Sequence, residues 1–174
     1  YVLSKEPTKE NLDKEKQNNR NLDFKNPSDL FSVNKELIIS DSSSTYYRID
    51  SLNEYPLSFK IKNTELHLKE GEWVVAEIKY LSNHPLKGLL SCSIDAEKQN
   101  KHWTAGELSA YYQPSQKTQT AYVACYVGSS FNNPENELSI FVWNNNKENF
   151  KITAFSIYTW NNNPYHFGLL SDIK

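Results

Sequence analysis

Methionine is absent from this 174-residue chain, glycine occurs only 5 times, and there are only 2 cysteines. A chain without methionine is expected to be a processed or excised piece of a longer protein. Tyr1-Val2-Leu3 ahead of a charged run reads as the stub of a removed anchor, so the expected location is extracytoplasmic: periplasmic, cell-surface or secreted. No apolar run approaches the ~18–20 residues of a membrane-spanning helix, so no membrane insertion is expected of this segment. The few glycines form no phosphate-cradling loop, dinucleotide fingerprint or Gly-x-Ser-x-Gly elbow. With no Cys-x-x-Cys pair or Cys/His ligand spacing, neither a structural zinc site nor a cofactor is expected. A net charge of −2, with lysines interleaved among acids, gives no concentrated basic face for phosphates, which excludes a nucleic-acid partner.

What the chain does have is aromatic surface and strand-like alternation. Its 11 tyrosines and 4 tryptophans can sit half-buried with one polar edge in water. Residues 1–27 mix basic and acidic side chains with Asn and Gln, and are expected to be a charged linker, disordered or weakly helical from Thr8. Residues 28–174 then alternate short apolar runs with turns. The runs are 37–39, 45–49, 57–61, 65–68, 72–81, 89–94, 103–112 and 118–127, followed by a closing hairpin of 137–144 and 150–160. Nine or ten short strands at regular intervals predict an all-β antiparallel two-sheet sandwich. In the last strand, Ile152, Phe155 and Ile157 share one face only if a bulge lies near Thr153-Ala154.

Cys92 and Cys125 both fall inside expected strands. Buried free thiols are the first expectation, and a bond between neighbouring strands is the alternative.

The order of features resembles the galactose-binding-like jelly rolls, a group with many bacterial carbohydrate-binding modules. The resemblance rests on Trp73-Val-Val-Ala-Glu-Ile-Lys-Tyr80, Gly88-Leu-Leu-Ser-Cys-Ser-Ile-Asp95, a segment containing Trp103, Thr120-Ala-Tyr-Val-Ala-Cys-Tyr126 and Leu138-Ser-Ile-Phe-Val-Trp-Asn144. The closing Ile152-Thr-Ala-Phe-Ser-Ile157 is similar to the group's Ile-Asp-Asp-Phe-x-Val, with Thr153 and Ala154 replacing its acidic pair. The resemblance implies a jelly roll and a glycan partner. It also implies a structural calcium, which the loss of the two acids weakens. A shared fold does not carry a shared activity.

Sugar rings present C–H faces that stack on aromatic planes, while nearby polar groups satisfy their hydroxyls. Tyr122 and Tyr126 alternate against Val123 and Cys125, and Trp103, Glu107 and Tyr111 share a face of the preceding run. The expected site is therefore Trp103, Tyr111, Tyr122 and Tyr126, with Glu107 and Gln119 as polar neighbours. Trp73 and Trp143 are expected to be core anchors, and the tail from Trp160 to Phe167 is expected to cover a sheet edge. A glycosidase would need two facing carboxylates, and the isolated Glu77 and Glu107 make no such pair. His67, His84, His102 and His166 are scattered, so no catalysis is expected. A protein-docking or structural domain, using the same aromatics on a protein partner, is the alternative.

Overall fold

The computed structural model describes residues 16–96, 99–129, 133–161 and 163–164. Within them run β1 (Gln17–Asn21), β2 (Phe31–Val33), β3 (Ile38–Ser40), β4 (Thr45–Ile49), β5 (Leu57–Lys62), β6 (Trp73–Leu81), β7 (Leu89–Ala96), β8 (Gln99–Glu107), β9 (Thr118–Tyr126), β10 (Glu137–Trp143) and β11 (Phe150–Trp160). One sheet has the order β3-β4-β11-β6-β9 with β1 also on β11, and the other has the order β2-β5-β10-β7-β8. Every pairing is antiparallel. The protein is thus an all-β sandwich. Among the described residues no helix is long and apolar enough to cross a membrane.

Period-two alternation puts one face of each strand into the core. In β5, Leu57, Phe59 and Ile61 are buried while Lys60 and Lys62 are exposed. Opposite them, Ile78, Phe155 and Ile157 of the first sheet close the core. Full burial of one such side chain contributes about 1.5–3 kcal/mol. The expected bulge is present: the β11–β6 register shifts between Ile152 and Ala154, leaving Thr153 as the extra residue. Ile152, Phe155 and Ile157 are all returned to the core, and Thr153 Oγ1 donates to Lys79 O at 3.2 Å.

Four expectations are corrected. First, β1 pairs with β11, and Leu22 and Phe24 are buried behind it, so residues 17–24 belong to the sandwich and not to a linker. A few well-placed apolar side chains outweigh the polarity of that stretch. Residues 1–15 lie outside the described residues. Second, Asn63–Leu66 is one helical turn, not a strand. Asn63 accepts the His67 and Leu68 amides, through its carbonyl and its side chain, and so diverts the backbone from a ladder. Third, the strand expected over 103–112 ends at Glu107 and continues as a 3-10 turn, Leu108–Tyr111, whose Leu108 is buried. Fourth, β10 and β11 are not a hairpin. β10 pairs with β5 and β7, whereas β11 pairs with β6, β4 and β1, so the Asn-rich turn arches from one sheet to the other.

Such arches recur. The chain changes sheets at every connection except β3–β4 and β7–β8, the winding expected of a jelly roll. At one edge the sheets nearly touch: a Cβ on Gly106 of β8 would lie 2.6 Å from the Tyr122 carbonyl oxygen of β9. Only glycine permits that approach.

Candidate functional site

The sheet change between β8 and β9 separates the expected site residues. Trp103 and Glu107 lie on the outer face of the second sheet, and Tyr122 and Tyr126 on the outer face of the first. The 3-10 turn causes the separation, with the Leu108 carbonyl held by the buried Tyr80 hydroxyl at 2.8 Å. Tyr111 packs against the core at the seam, its hydroxyl donating to Tyr122 O at 2.9 Å. Gln119 faces inward and is buried. Its amide donates to Gln113 O and Gln116 O and accepts the Gln113 amide, so it fixes a turn and presents no polar group to solvent. Glu107 accepts from the Ser109 hydroxyl.

Trp103 shares its sheet face with different aromatics from those expected. In β10, Leu138, Ile140 and Val142 are buried, so Phe141 and Trp143 point out of the second sheet. Trp143 is therefore not a core anchor. Its ring stacks with Tyr55 of the β4–β5 loop at 6.1 Å and 14°, and Tyr55 meets Phe141 edge-on at 5.8 Å. Its indole Nε1 donates to Glu54 Oε1 at 2.9 Å. Burial against these rings, and then the Glu54 charge, push the Tyr55 phenol above its ordinary value. Tyr55 is 58% exposed and Trp103 is 48% exposed.

The cross-strand register places these rings in rows. Trp143, Leu89 and Glu107 form one row, Phe141, Ser91 and Ala105 the next, and Ser139, Ser93 and Trp103 a third. From strand spacing and rise, Trp143 and Trp103 are roughly 16 Å apart, diagonally across three strands. Between them lie the small residues Ser91, Ser93, Ser139 and Ala105, all buried among the larger side chains. Ser91 Oγ has no hydrogen-bond partner.

Asn144, immediately after Trp143, holds this edge together and was not singled out from the sequence. It is fully buried. Its Nδ2 donates to Asp50 O and Glu148 O, both at 3.0 Å, its Oδ1 accepts the Glu148 amide at 3.0 Å, and its own amide donates to Glu54 O at 2.7 Å. Glu148 Oε2 in turn accepts the Lys87 and Gly88 amides at 2.8 and 3.2 Å. Three loops are thereby locked at the end of the sandwich where Tyr55 and Trp143 stack.

The outer face of the first sheet is more thoroughly packed. Tyr126, Trp73 and Trp160 are in register across β9, β6 and β11, and Val75, Ala124 and Tyr158 lie beside them. Trp73 is thus part of a second, outer cluster and not of the main core. Trp160 is only 2% exposed, whereas Tyr126 is 47% exposed. Lys16 Nζ sits 4.5 Å above the Tyr158 ring and 3.6 Å from Glu77. The tail expected to cover an edge lies, beyond 164, outside the described residues.

A cleft of about 650 Å³ opens at the same end as Asn144, lined in part by His84, Tyr112, Gln116, Lys117, Asn149 and Lys151. Tyr112 donates to Asn83 O at 2.9 Å, and Lys151 lies 4.3 Å over the Tyr46 ring. No carboxylate lines it.

Among the described residues no group of three or more His, Cys, Asp or Glu side chains could hold a metal ion. The stretch aligned with the calcium-binding acids offers one hydroxyl, Thr153 Oγ1, and it already donates to Lys79 O. These residues do not fit a calcium site.

No family model matches the chain, and no curated protein matches it. Among solved structures it is similar to a family GH115 4-O-methyl-α-glucuronidase with specificity for decorated arabinogalactans, at 15% identity and a TM-score of 0.36. That likeness covers 75% of this chain and 16% of the glucuronidase, so the chain spans about a sixth of that protein's length. It is also similar to a Stig cyclase from Fischerella sp. TAU, at 9% identity and a TM-score of 0.40, covering 78% of this chain and 92% of the cyclase.

Proposed function

We propose that this domain is a non-catalytic carbohydrate-binding module of a secreted or surface-anchored, bacterial-type protein, holding glycan on the outer face of its second sheet. The observation that supports the reading is the set of outward rings Tyr55, Phe141, Trp143 and Trp103, arranged around a floor of small residues. Exposed aromatic planes bind the C–H faces of sugars. Here the stacked Tyr55–Trp143 pair is held by Glu54 and the locked loops, so little ordering entropy is lost when a ligand docks. Glu107, Lys60 and the Glu54 carboxylate stand at the margins to meet hydroxyls. The distance between Trp143 and Trp103 suits an oligosaccharide lying across the strands better than a single ring.

The test is a glycan and polysaccharide screen of the whole chain beside Trp103→Ala and Tyr55→Ala, with Tyr126→Ala on the opposite face and Lys117→Ala in the end cleft as controls. Binding lost only in the first two variants supports the reading. Loss only with Lys117→Ala moves the site to the cleft. No binding across a broad panel favours a protein-docking domain.

A further inference from the structure

Cys92 projects inward from β7 of the second sheet and Cys125 inward from β9 of the first, and both are buried free thiols. The two strands face each other across the core at the edge where Gly106 brings β8 against β9. His102 of β8, paired with Ile94 of β7, reaches the Cys125 sulfur from the solvent side of that seam and is itself exposed. The three side chains come from three strands and two sheets, and they meet where both sheets have an edge strand.

We infer that Cys92 and Cys125 are a redox pair that closes across the core to a disulfide joining the two sheets, with His102 preparing Cys125 as the attacking sulfur. Electrostatics agree with this division of labour. The Cys92 thiol, and then His102, hold Cys125 down to about 7 against the opposing effect of burial. Burial pushes Cys92 well above the ordinary thiol value, so it stays protonated. His102 is raised in turn, chiefly by its hydrogen bond to Cys125. One thiol held low beside one protonated thiol is the pairing that thiol–disulfide exchange uses once the low one is exposed.

The oxidant is a low-molecular-weight disulfide. Cys125 is fully buried in the closed sandwich, so the step waits on local opening of the β8 edge; its thiolate then attacks one of the reagent's sulfurs, a mixed disulfide forms, and one small thiolate leaves. Cys92 then gives up its proton to His102 or water and attacks Cys125 Sγ. This forms the Cys92–Cys125 bond and expels the second small thiolate. The protein loses two electrons and two protons, and the reagent disulfide is reduced to two thiols. Inter-sheet disulfides are geometrically ordinary in sandwiches, as in antibody domains.

The experiment exposes the reduced full chain to oxidised glutathione, followed by intact mass measurement and alkylation with iodoacetamide in denaturant. The expected product has lost two hydrogens, takes up no iodoacetamide, yields a Cys92–Cys125 peptide on digestion and melts at a higher temperature than the reduced chain. Cys92→Ser should stop at a glutathione adduct on Cys125, and His102→Gln should slow closure by about tenfold. Two alkylatable thiols after prolonged oxidation of the wild-type chain, or linkage between chains in place of within one, overturn the inference whether or not the variants fold. Equal reactivity of Cys92 in a folded Cys125→Ser variant overturns the role given to Cys125.

Discussion

The carboxylate of Glu54 accepts the indole Nε1–H of Trp143 at 2.9 Å, joining residues 89 positions apart in the chain. Glu54 belongs to a loop and Trp143 to the end of a central strand, so one charge-assisted bond sets the tilt of the Tyr55–Trp143 pair. Replacing Glu54 with Gln keeps an acceptor but removes the charge. The expected cost in urea denaturation is about 1 kcal/mol or less, because the bond is open to water. The Tyr55 phenol, now raised partly by Glu54, should titrate closer to its ordinary value in an NMR titration.

Asn144→Ala should be far more damaging. It removes the bonds donated to Asp50 O and Glu148 O, a longer one to Asn53 O, and one accepted bond from a fully buried side chain, and leaves loop carbonyls unsatisfied. At about 1 kcal/mol per bond plus the desolvation penalty, the expected loss is about 3 kcal/mol. Equilibrium denaturation measures it, and a loss under about 1 kcal/mol would show that the loops are not locked through this residue.

Phe24 is buried and stacks on Tyr47 at 6.2 Å and 7°. Phe24→Ala should cost about 3–5 kcal/mol, as a buried aromatic does. Deletion of residues 1–24 should lower the melting temperature clearly, whereas a disposable linker would leave it unchanged.

These contrasts show where the sequence was readable. The alternation in β5 and the spacing of Ile152, Phe155 and Ile157 carry their meaning locally, so the strands and the bulge at Thr153 could be anticipated. The outward direction of Trp143 was also legible, since Leu138, Ile140 and Val142 claim the opposite parity. The expectation of a core anchor overlooked that parity. Leu22 and Phe24, two apart in a polar stretch, were a fainter signal of the same kind. Asn144 was not legible: in a run of three consecutive asparagines nothing local distinguishes the buried one from its exposed neighbours. Nor does alternation say which sheet a strand joins, so Trp103 and Tyr122 read as one face although they lie on opposite sides of the molecule.

Asp41 caps the β3–β4 turn, accepting the Ser43 and Ser44 amides, both at 2.8 Å, along with the Ser43 hydroxyl. These bonds, that from the Ser43 amide first, hold its carboxyl at about 2, below an ordinary value of 3.8. A folded-state value below the unfolded one means that its contribution is present above about pH 4 and is lost as the pH falls through about 2. Wild type should therefore exceed Asp41→Asn in stability at neutral pH, with the gap closing across that acid range. A gap independent of pH would contradict the assignment.

The aromatic face of the second sheet is best tested by isothermal titration of the wild-type chain, Trp103→Ala and Tyr126→Ala with the strongest oligosaccharide from the glycan screen. Trp103→Ala should weaken binding at least tenfold while its melting temperature stays near that of wild type, and Tyr126→Ala should bind as wild type does. Undiminished binding by a folded Trp103→Ala variant, or loss confined to Tyr126→Ala, would contradict a glycan site on that face.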